Sequence, residues 1–223
     1  MTDDRRSQER AEIVGQLWGS LGVVHPVKDI GRGGALLEAG PWPPPLSVQR
    51  MRLTVGDETE GSAEVRMCRV EPVTGPDGGQ RNLIGLEFLD VPPPLLQEID
   101  ELVAAHPPIA AAPAPGEDRR QTRRVAVPGD VRCEMTTWST VRLVDISRGG
   151  ALLVSNRPVS NAERAELRVS FDGDPFSSGI EIRRVEADGR EGDSGSVRLG
   201  VRFRDPDEDS RRALGQFLRR AIV

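Results

Sequence analysis

An internal repeat constrains this chain more than any other feature of its sequence. The segment DIGRGGALL at Asp29–Leu37 returns as DISRGGALL at Asp145–Leu153, with eight of nine residues identical. IGLEFLD at Ile84–Asp90 likewise lines up with LGVRFRD at Leu199–Asp205. The two offsets are nearly equal, 116 residues (145 − 29) and 115 residues (199 − 84). Collinear matches at one offset indicate a tandem duplication, so we predict two domains of the same fold.

Arginine clusters mark the start of each copy. DRRSQER at Asp4–Arg10 aligns with DRRQTRR at Asp118–Arg124, at an offset of 114 residues (118 − 4). A Pro/Ala-rich stretch precedes the second cluster and has the composition of a semi-rigid linker. We therefore predict a first domain at residues 1–105, a linker at 106–117 and a second domain at 118–223.

Short alternating runs predict that both domains are mainly β. The chain has 24 Gly, 18 Pro and only 37% hydrophobic residues, which favours small barrels or sandwiches over a large core. Each copy closes with a helical pattern, at Leu95–Val103 and at Leu214–Ile222, and residues 11–24 are also compatible with a partly helical segment. The strands predicted in the second copy are 141–146, 151–155, 165–171, 180–186 and 197–203.

Composition argues against several classes of protein. A net charge of −5, five Phe, three Trp and no Tyr offer little for binding a nucleic acid polymer. No apolar run is long enough to insert into a membrane, and the N-terminus lacks the apolar core of a signal peptide, so we expect a cytoplasmic protein. Cys68 and Cys133 are far apart and have no metal-ligand spacing, which predicts neither a disulfide nor a metal site.

An enzyme is not expected. GDSGS at Gly192–Ser196 resembles the nucleophile loop of trypsin-like proteases, but such catalysis needs a suitably placed histidine base. The two histidines are His25 and His106, and the second lies in the predicted linker. We interpret GDSGS as a hairpin loop, and no catalytic residue, metal or cofactor is predicted.

Two motifs of the second copy carry a family resemblance. Arg120 and Arg124 form R-x-x-x-R, and about twenty residues later Asp145, Ser147 and Gly150 form D-x-S-x-x-G. This order resembles the signature of PilZ domains, a family of cyclic di-GMP receptors. The resemblance implies two six-stranded antiparallel PilZ-type β-barrels, each followed by a C-terminal α-helix, with cyclic di-GMP as the ligand of the second.

These residue types suit such a ligand. A guanidinium group binds phosphate through two hydrogen bonds and also stacks on a purine. A carboxylate accepts hydrogen bonds from the N–H groups of guanine, while arginine donates to its O6 and N7. Glycines permit positive φ and a close approach of the backbone. The expected ligand-binding residues are Arg119, Arg120, Arg123, Arg124, Asp145, Ser147, Gly149 and Gly150.

The first copy matches the motifs less well. Arg6, Arg10, Asp29 and Gly34 occupy the corresponding positions, but Gly31 stands where the second copy has serine. We expect a weaker second site there, or a degenerate domain kept for packing or partner contact.

The resemblance also implies a role. In this hypothesis, ligand binding orders the arginine segment beside the linker and changes the arrangement of the two domains. The protein would then regulate motility, exopolysaccharide or biofilm functions through an unidentified protein partner. The alternative is a PilZ-like scaffold that binds a protein partner without nucleotide.

Overall fold

The chain is mainly β, as the sequence predicts. The computed structural model describes residues 10–40, 47–57, 59–75, 78, 80–109, 123–156, 159, 164–187 and 196–221. Two helices lie in the described part, α1 (Pro93–Ala105) and α2 (Glu208–Ala221), one at the end of each copy. The strands are β1 (Ala11–Gly31), β2 (Gly34–Ala39), β3 (Val48–Val55), β4 (Thr59–Thr74), β5 (Gln80–Asp90), β6 (Arg124–Ala126), β7 (Cys133–Ser147), β8 (Gly150–Ser155), β9 (Arg164–Phe171), β10 (Asp174–Ala187) and β11 (Val197–Arg204).

The five strands predicted in the second copy are confirmed as β7 to β11. A helix in residues 11–24 is wrong, because this segment is the first part of the 21-residue strand β1. Glycines explain the difference. A Cβ added to Gly19 would lie 2.8 Å from the carbonyl oxygen of Arg168, so the missing side chain lets β1 approach β9 closely.

The chain forms two compact units that do not follow the copies of the repeat. The split unit contains residues 1–23 and 138–223, and the continuous unit contains residues 24–137. Two strands, β1 and β7, therefore each contribute residues to both units. The domains predicted at 1–105 and 118–223 differ from these units because the two copies exchange their first strand segments.

Each unit has its own hydrophobic core, and the exchanged segments are part of it. Leu21 of β1 is fully buried with Leu143 and Phe171 of the second copy. Met135 of β7 is fully buried with Leu37 of the first copy. Burial of one such side chain contributes about 1.5–3 kcal/mol to the free energy of unfolding. The exchanged residues therefore stabilise the core of the unit in which they lie.

In the split unit the strands lie in the order β7–β8–β11–β10–β9–β1. All pairs with a described register are antiparallel, including Ser147 opposite Gly150 at the β7–β8 turn. Helix α2 follows β11. Asp207 accepts a hydrogen bond from the backbone N–H of Ser210 at 2.7 Å, and Phe217 stacks on Phe171 with ring centroids 4.6 Å apart. The acidic first turn and the Arg219–Arg220 end fit the helix dipole as predicted.

In the continuous unit the order is β6–β1–β2–β5–β4–β3–β7. The short strand β6 pairs with the end of β1, where Gly31 lies opposite Arg124, and β7 pairs with β3 through residues 133–136. Helix α1 begins at Pro93 and buries Leu95, Ile99 and Leu102 on one face, as its apolar spacing predicts.

The helices of the described residues are α1, with 13 residues, and α2, with 14 residues. Neither is both long enough and apolar enough to cross a bilayer.

The exchange of strand segments between the copies predicts which strands each buried residue protects from hydrogen–deuterium exchange. Leu21→Ala should destabilise the split unit by about 2–5 kcal/mol, since it leaves a cavity among residues of the second copy. Hydrogen–deuterium exchange should then accelerate in β9 to β11 before β3 to β5. Met135→Ala is the matched variant and should have the reverse effect. If the Leu21→Ala variant showed faster hydrogen–deuterium exchange only in β3 to β5, the assignment of Leu21 to the split unit would be wrong.

A buried histidine lies near the boundary of the continuous unit. The ring of His25 is 2% exposed, and its Nε2 lies 3.0 Å from the hydroxyl oxygen of Thr137. Burial lowers the pKa of His25 to about 3, from about 6.5 in an unfolded chain. The native state therefore holds the neutral ring, and acidification favours the unfolded chain, which takes up the proton.

This histidine predicts a pH-dependent loss of stability. Between pH 7.5 and pH 5 the wild type should lose about 2 kcal/mol of unfolding free energy through His25, because only the unfolded state is protonated in this window. Urea titrations of wild type and His25→Gln at both pH values measure the difference, in which the shared carboxylates cancel. Equal pH dependence of the two proteins would show that His25 is not the cause.

Candidate functional site

The two D-I-x-R-G-G motifs form equivalent hairpin turns, one in each unit. β1 ends at Gly31 and β2 begins at Gly34, while β7 ends at Ser147 and β8 begins at Gly150. A backbone hydrogen bond joins each turn to the last strand of its own copy, β5 in the first and β11 in the second. The N–H of Phe203 donates to the carbonyl of Gly149 at 2.9 Å, and that of Phe88 donates to the carbonyl of Gly33 at 3.1 Å.

Close packing explains the second glycine of each motif. A Cβ on Gly150 would lie 2.1 Å from the carbonyl oxygen of Val201, and one on Gly34 would lie 2.0 Å from that of Leu86. The expected positive φ at Gly149 and Gly150 is wrong, since neither has it. These glycines therefore serve the approach of two strands, and their backbone also leaves the outer surface of the turn without a side chain.

Ser147 closes its own turn. Its hydroxyl donates to the carbonyl oxygen of Gly150 at 3.2 Å, and the residue is only 6% exposed. At the equivalent Gly31, a Cβ would lie 2.2 Å from the carbonyl oxygen of Arg123. The missing serine of the first copy thus has a steric cause, because β6 packs directly over that position.

The continuous unit joins Arg124 to Asp29. Nη1 of Arg124 donates to Oδ1 of Asp29 at 3.1 Å, and the two side chains are 24% and 15% exposed. Arg123 donates from Nη2 to the carbonyl oxygen of His106 at 2.7 Å. An arginine of the second copy therefore serves the turn of the first copy.

The split unit contains the reciprocal pair. Nη1 of Arg10 lies 3.4 Å from Oδ2 of Asp145, and here the arginine side chain is 69% exposed while the aspartate is 20% exposed. An arginine of the first copy therefore serves the turn of the second copy. The pair is long and open to solvent, so it contributes little to stability.

The structure thus regroups the residues predicted from sequence. Asp145, Ser147, Gly149 and Gly150 lie together as expected, but the arginine that pairs with Asp145 is Arg10. The sequence could not show this, because the arginine strings align equally well with either turn. Arg6, Arg119 and Arg120 lie outside the described residues.

One arginine near the turn was missed in the sequence analysis. Arg202 of β11 lies directly opposite Gly150 in the strand register. The signal was present in the repeat itself, where LGVRFRD has arginine at the position that IGLEFLD fills with Glu87. A comparison of the differences between the copies, rather than of their identities, would have found it.

The two histidines and the GDSGS segment are the residues that the sequence analysis weighed for a protease-like site. His25 is buried against Thr137, and His106 donates from Nδ1 to the carbonyl of Leu102 at 2.9 Å. Of GDSGS, only Ser196 lies within the described residues, where it is 7% exposed. Across the described ranges, no cluster of three potential metal ligands occurs.

Comparison with protein families gives one match. Residues 118–220 match the model of the PilZ domain, which spans nearly all of the second copy of the repeat. A comparison with curated proteins found no match. The matched segment begins in the continuous unit and ends in the split unit, so a single family match crosses the exchange.

Solved structures give weak similarities. PlzA of Borreliella burgdorferi in complex with c-di-GMP is 10% identical, with 94% of this chain and 93% of that chain covered and a TM-score of 0.28. YcgR of Escherichia coli in complex with c-di-GMP is 13% identical, with coverages of 88% and 83% and a TM-score of 0.29. The Bacillus subtilis inhibitor of motility MotI/DgrA is 12% identical, with coverages of 77% and 95% and a TM-score of 0.31. TM-scores this low do not establish a common fold.

Proposed function

We propose that this protein is a cyclic di-GMP receptor whose principal site lies in the split unit. The observation that carries the proposal is the meeting of Arg10 with Asp145, at the turn that also contains Ser147 and Gly150. This turn belongs to the segment that matches the PilZ domain. Its motif is therefore supplied with an arginine despite the exchange of strands.

Exposure favours this site over the equivalent one. Arg10 is bound loosely and is mostly exposed, so its guanidinium can leave Asp145 for a phosphate at small cost. Arg124 is mostly buried at its shorter ion pair with Asp29, and removing it would leave a carboxylate without its partner. The pair in the continuous unit thus acts as a structural contact that holds β6 against β1.

The proposed site accordingly draws on both copies. Arg10 of the first copy would bind phosphate and stack on guanine, and Asp145 would accept hydrogen bonds from the guanine edge. Ser147 shapes the turn through its bond to Gly150, while the glycines leave room for the ligand. A weaker site around Asp29 and Gly34 would draw on Arg123 of the second copy, since Arg124 is held by Asp29.

We also propose that the two units are the barrels expected from the sequence, with six strands in the split unit and with the short strand β6 added to six in the continuous unit. The split unit supports this most directly, because its strand order begins with β7 and ends with β1, and these two strands pair with each other. The hydroxyl of Ser139 lies 3.4 Å from the carbonyl oxygen of Leu21, and the ring of Trp138 covers Gly22. Such closure would remove exposed strand edges.

The proposed role is that of a non-catalytic cytoplasmic effector. A receptor for a second messenger transmits a signal by changing what it contacts, so regulation of motility, exopolysaccharide or biofilm functions would require a protein partner. β1 is one continuous strand from the residue after Arg10 to Gly31, and it contributes to both cores. A ligand that fixes Arg10 would therefore restrain a strand shared by the two units.

This restraint predicts a change in interdomain arrangement on binding. Small-angle X-ray scattering should give different radii of gyration with and without saturating cyclic di-GMP, and Arg10→Ala at the same ligand concentration should show no change. Identical curves for the free and saturated wild type would refute the rearrangement and leave the binding proposal intact.

Two arginine variants test the assignment of the site. Arg10→Ala should weaken cyclic di-GMP binding roughly 10- to 100-fold in isothermal titration calorimetry, as loss of a charge-assisted contact predicts. Arg124→Ala is the matched control and should change affinity less than about threefold, although it should lower thermal stability because it leaves Asp29 unpaired.

The control also separates the alternatives. Loss of binding in Arg124→Ala but not in Arg10→Ala would favour the arrangement expected from the sequence order, in which each copy keeps its own arginines. No heat of binding with the folded wild type would favour the nucleotide-independent scaffold instead.

A further inference from the structure

We propose that Arg202 binds a phosphate of the ligand in the split unit, and that the residue at this position determines which unit binds. This inference rests on the proposed function, since it assigns a further contact at the same site. Its basis is a difference in charge between two otherwise equivalent strand positions.

The strand register places Arg202 beside the turn. Ser147 lies opposite Gly150 across β7 and β8, and Gly150 lies opposite Arg202 across β8 and β11. Residues directly opposite each other in antiparallel strands have side chains on the same face. Val201 and Phe203 point into the core, with exposures of 6% and 8%, so Arg202 projects from the outer face.

The glycine between them keeps this face open. Gly150 has no side chain to separate the end of β7 from Arg202, and the position where its Cβ would stand is 3.2 Å from Cα of Arg202. A ligand lying over Gly150 would therefore contact the turn residues on one side and the guanidinium of Arg202 on the other. The surface offers a cation at each flank, Arg10 beside Asp145 and Arg202 beyond Gly150.

The neighbouring carboxylate is already engaged by other arginines. Glu181 lies opposite Arg202 in β10, but its Oε2 is 3.0 Å from Nη2 of Arg183 and 2.8 Å from Nη2 of Arg204. Within the ranges that the structure describes, Arg202 itself forms no salt bridge. Its guanidinium therefore retains its capacity to bind an anion.

The continuous unit has the opposite charge at this position. Glu87 lies opposite Gly34, as Arg202 lies opposite Gly150, and Oε2 of Glu87 accepts a hydrogen bond from Arg66 at 3.1 Å. A carboxylate at this position cannot donate to the phosphate of a dinucleotide, whereas a guanidinium can. The two units would thus differ in ligand affinity because of charge, although their turns have the same backbone construction.

Calorimetry with cyclic di-GMP tests the inference on the full chain. Arg202→Gln should weaken binding roughly tenfold or more, because it removes a charge-assisted phosphate contact. It should also reduce the salt dependence of affinity, as expected when a cation leaves an ionic interface. Arg212→Gln removes the same charge from an exposed position on α2 and should bind within twofold of wild type.

A third variant distinguishes loss of the phosphate contact from misfolding. Arg202→Lys keeps the charge but not the two-pronged donor, and it should bind with affinity between those of wild type and Arg202→Gln. If the wild type binds and Arg202→Gln binds equally well with an unchanged salt dependence, the inference is overturned and the proposed function stands. If the wild type does not bind, the proposed function itself fails.

Discussion

Two strands, β1 and β7, each supply side chains to two hydrophobic cores, and the remaining features of the structure depend on this division. β1 buries Leu21 in the split unit and Ile30 in the continuous unit, while β7 buries Met135 in the continuous unit and Leu143 in the split unit. Neither core is complete without residues from the other copy of the repeat. Since burial of apolar surface is the main stabilising contribution to folding, both units require the exchanged strand segments.

The same division of the two strands determines which turn each arginine contacts. Because each arginine string immediately precedes an exchanged segment, Arg10 reaches Asp145 and Arg124 reaches Asp29. The two pairs correspond in sequence but differ in environment, one mostly exposed and the other largely buried. The two copies of the motif thus contain one arginine pair that is open to solvent and one that is a largely buried contact, and the glycine at Gly31 is explained by the packing of β6.

Much of the fold could be predicted because its signals are local. Alternation identified β7 to β11, and apolar spacing identified α1 and α2. The grouping of Arg10 with Asp145 could not be predicted, since a strand from either copy satisfies the same alternating pattern in either core. The glycines of β1 also weaken both helix and strand propensity, so its state depended on contacts such as that between Gly19 and Arg168, which are distant in sequence.

The division of β1 also affects the order in which a growing chain can fold on the ribosome. The continuous unit lacks β6 and part of β7 until synthesis has passed residue 137, well beyond the end of the first copy. Residues 11–23 of β1 have no core to pack into until the strands of the second copy have been made. Domains usually fold as they emerge from the ribosome, N-terminal ones first. In this chain the continuous unit can be completed first, whereas the N-terminal part of β1 waits for the strands of the second copy, and its apolar residues Leu21 and Val23 would need protection from aggregation until then.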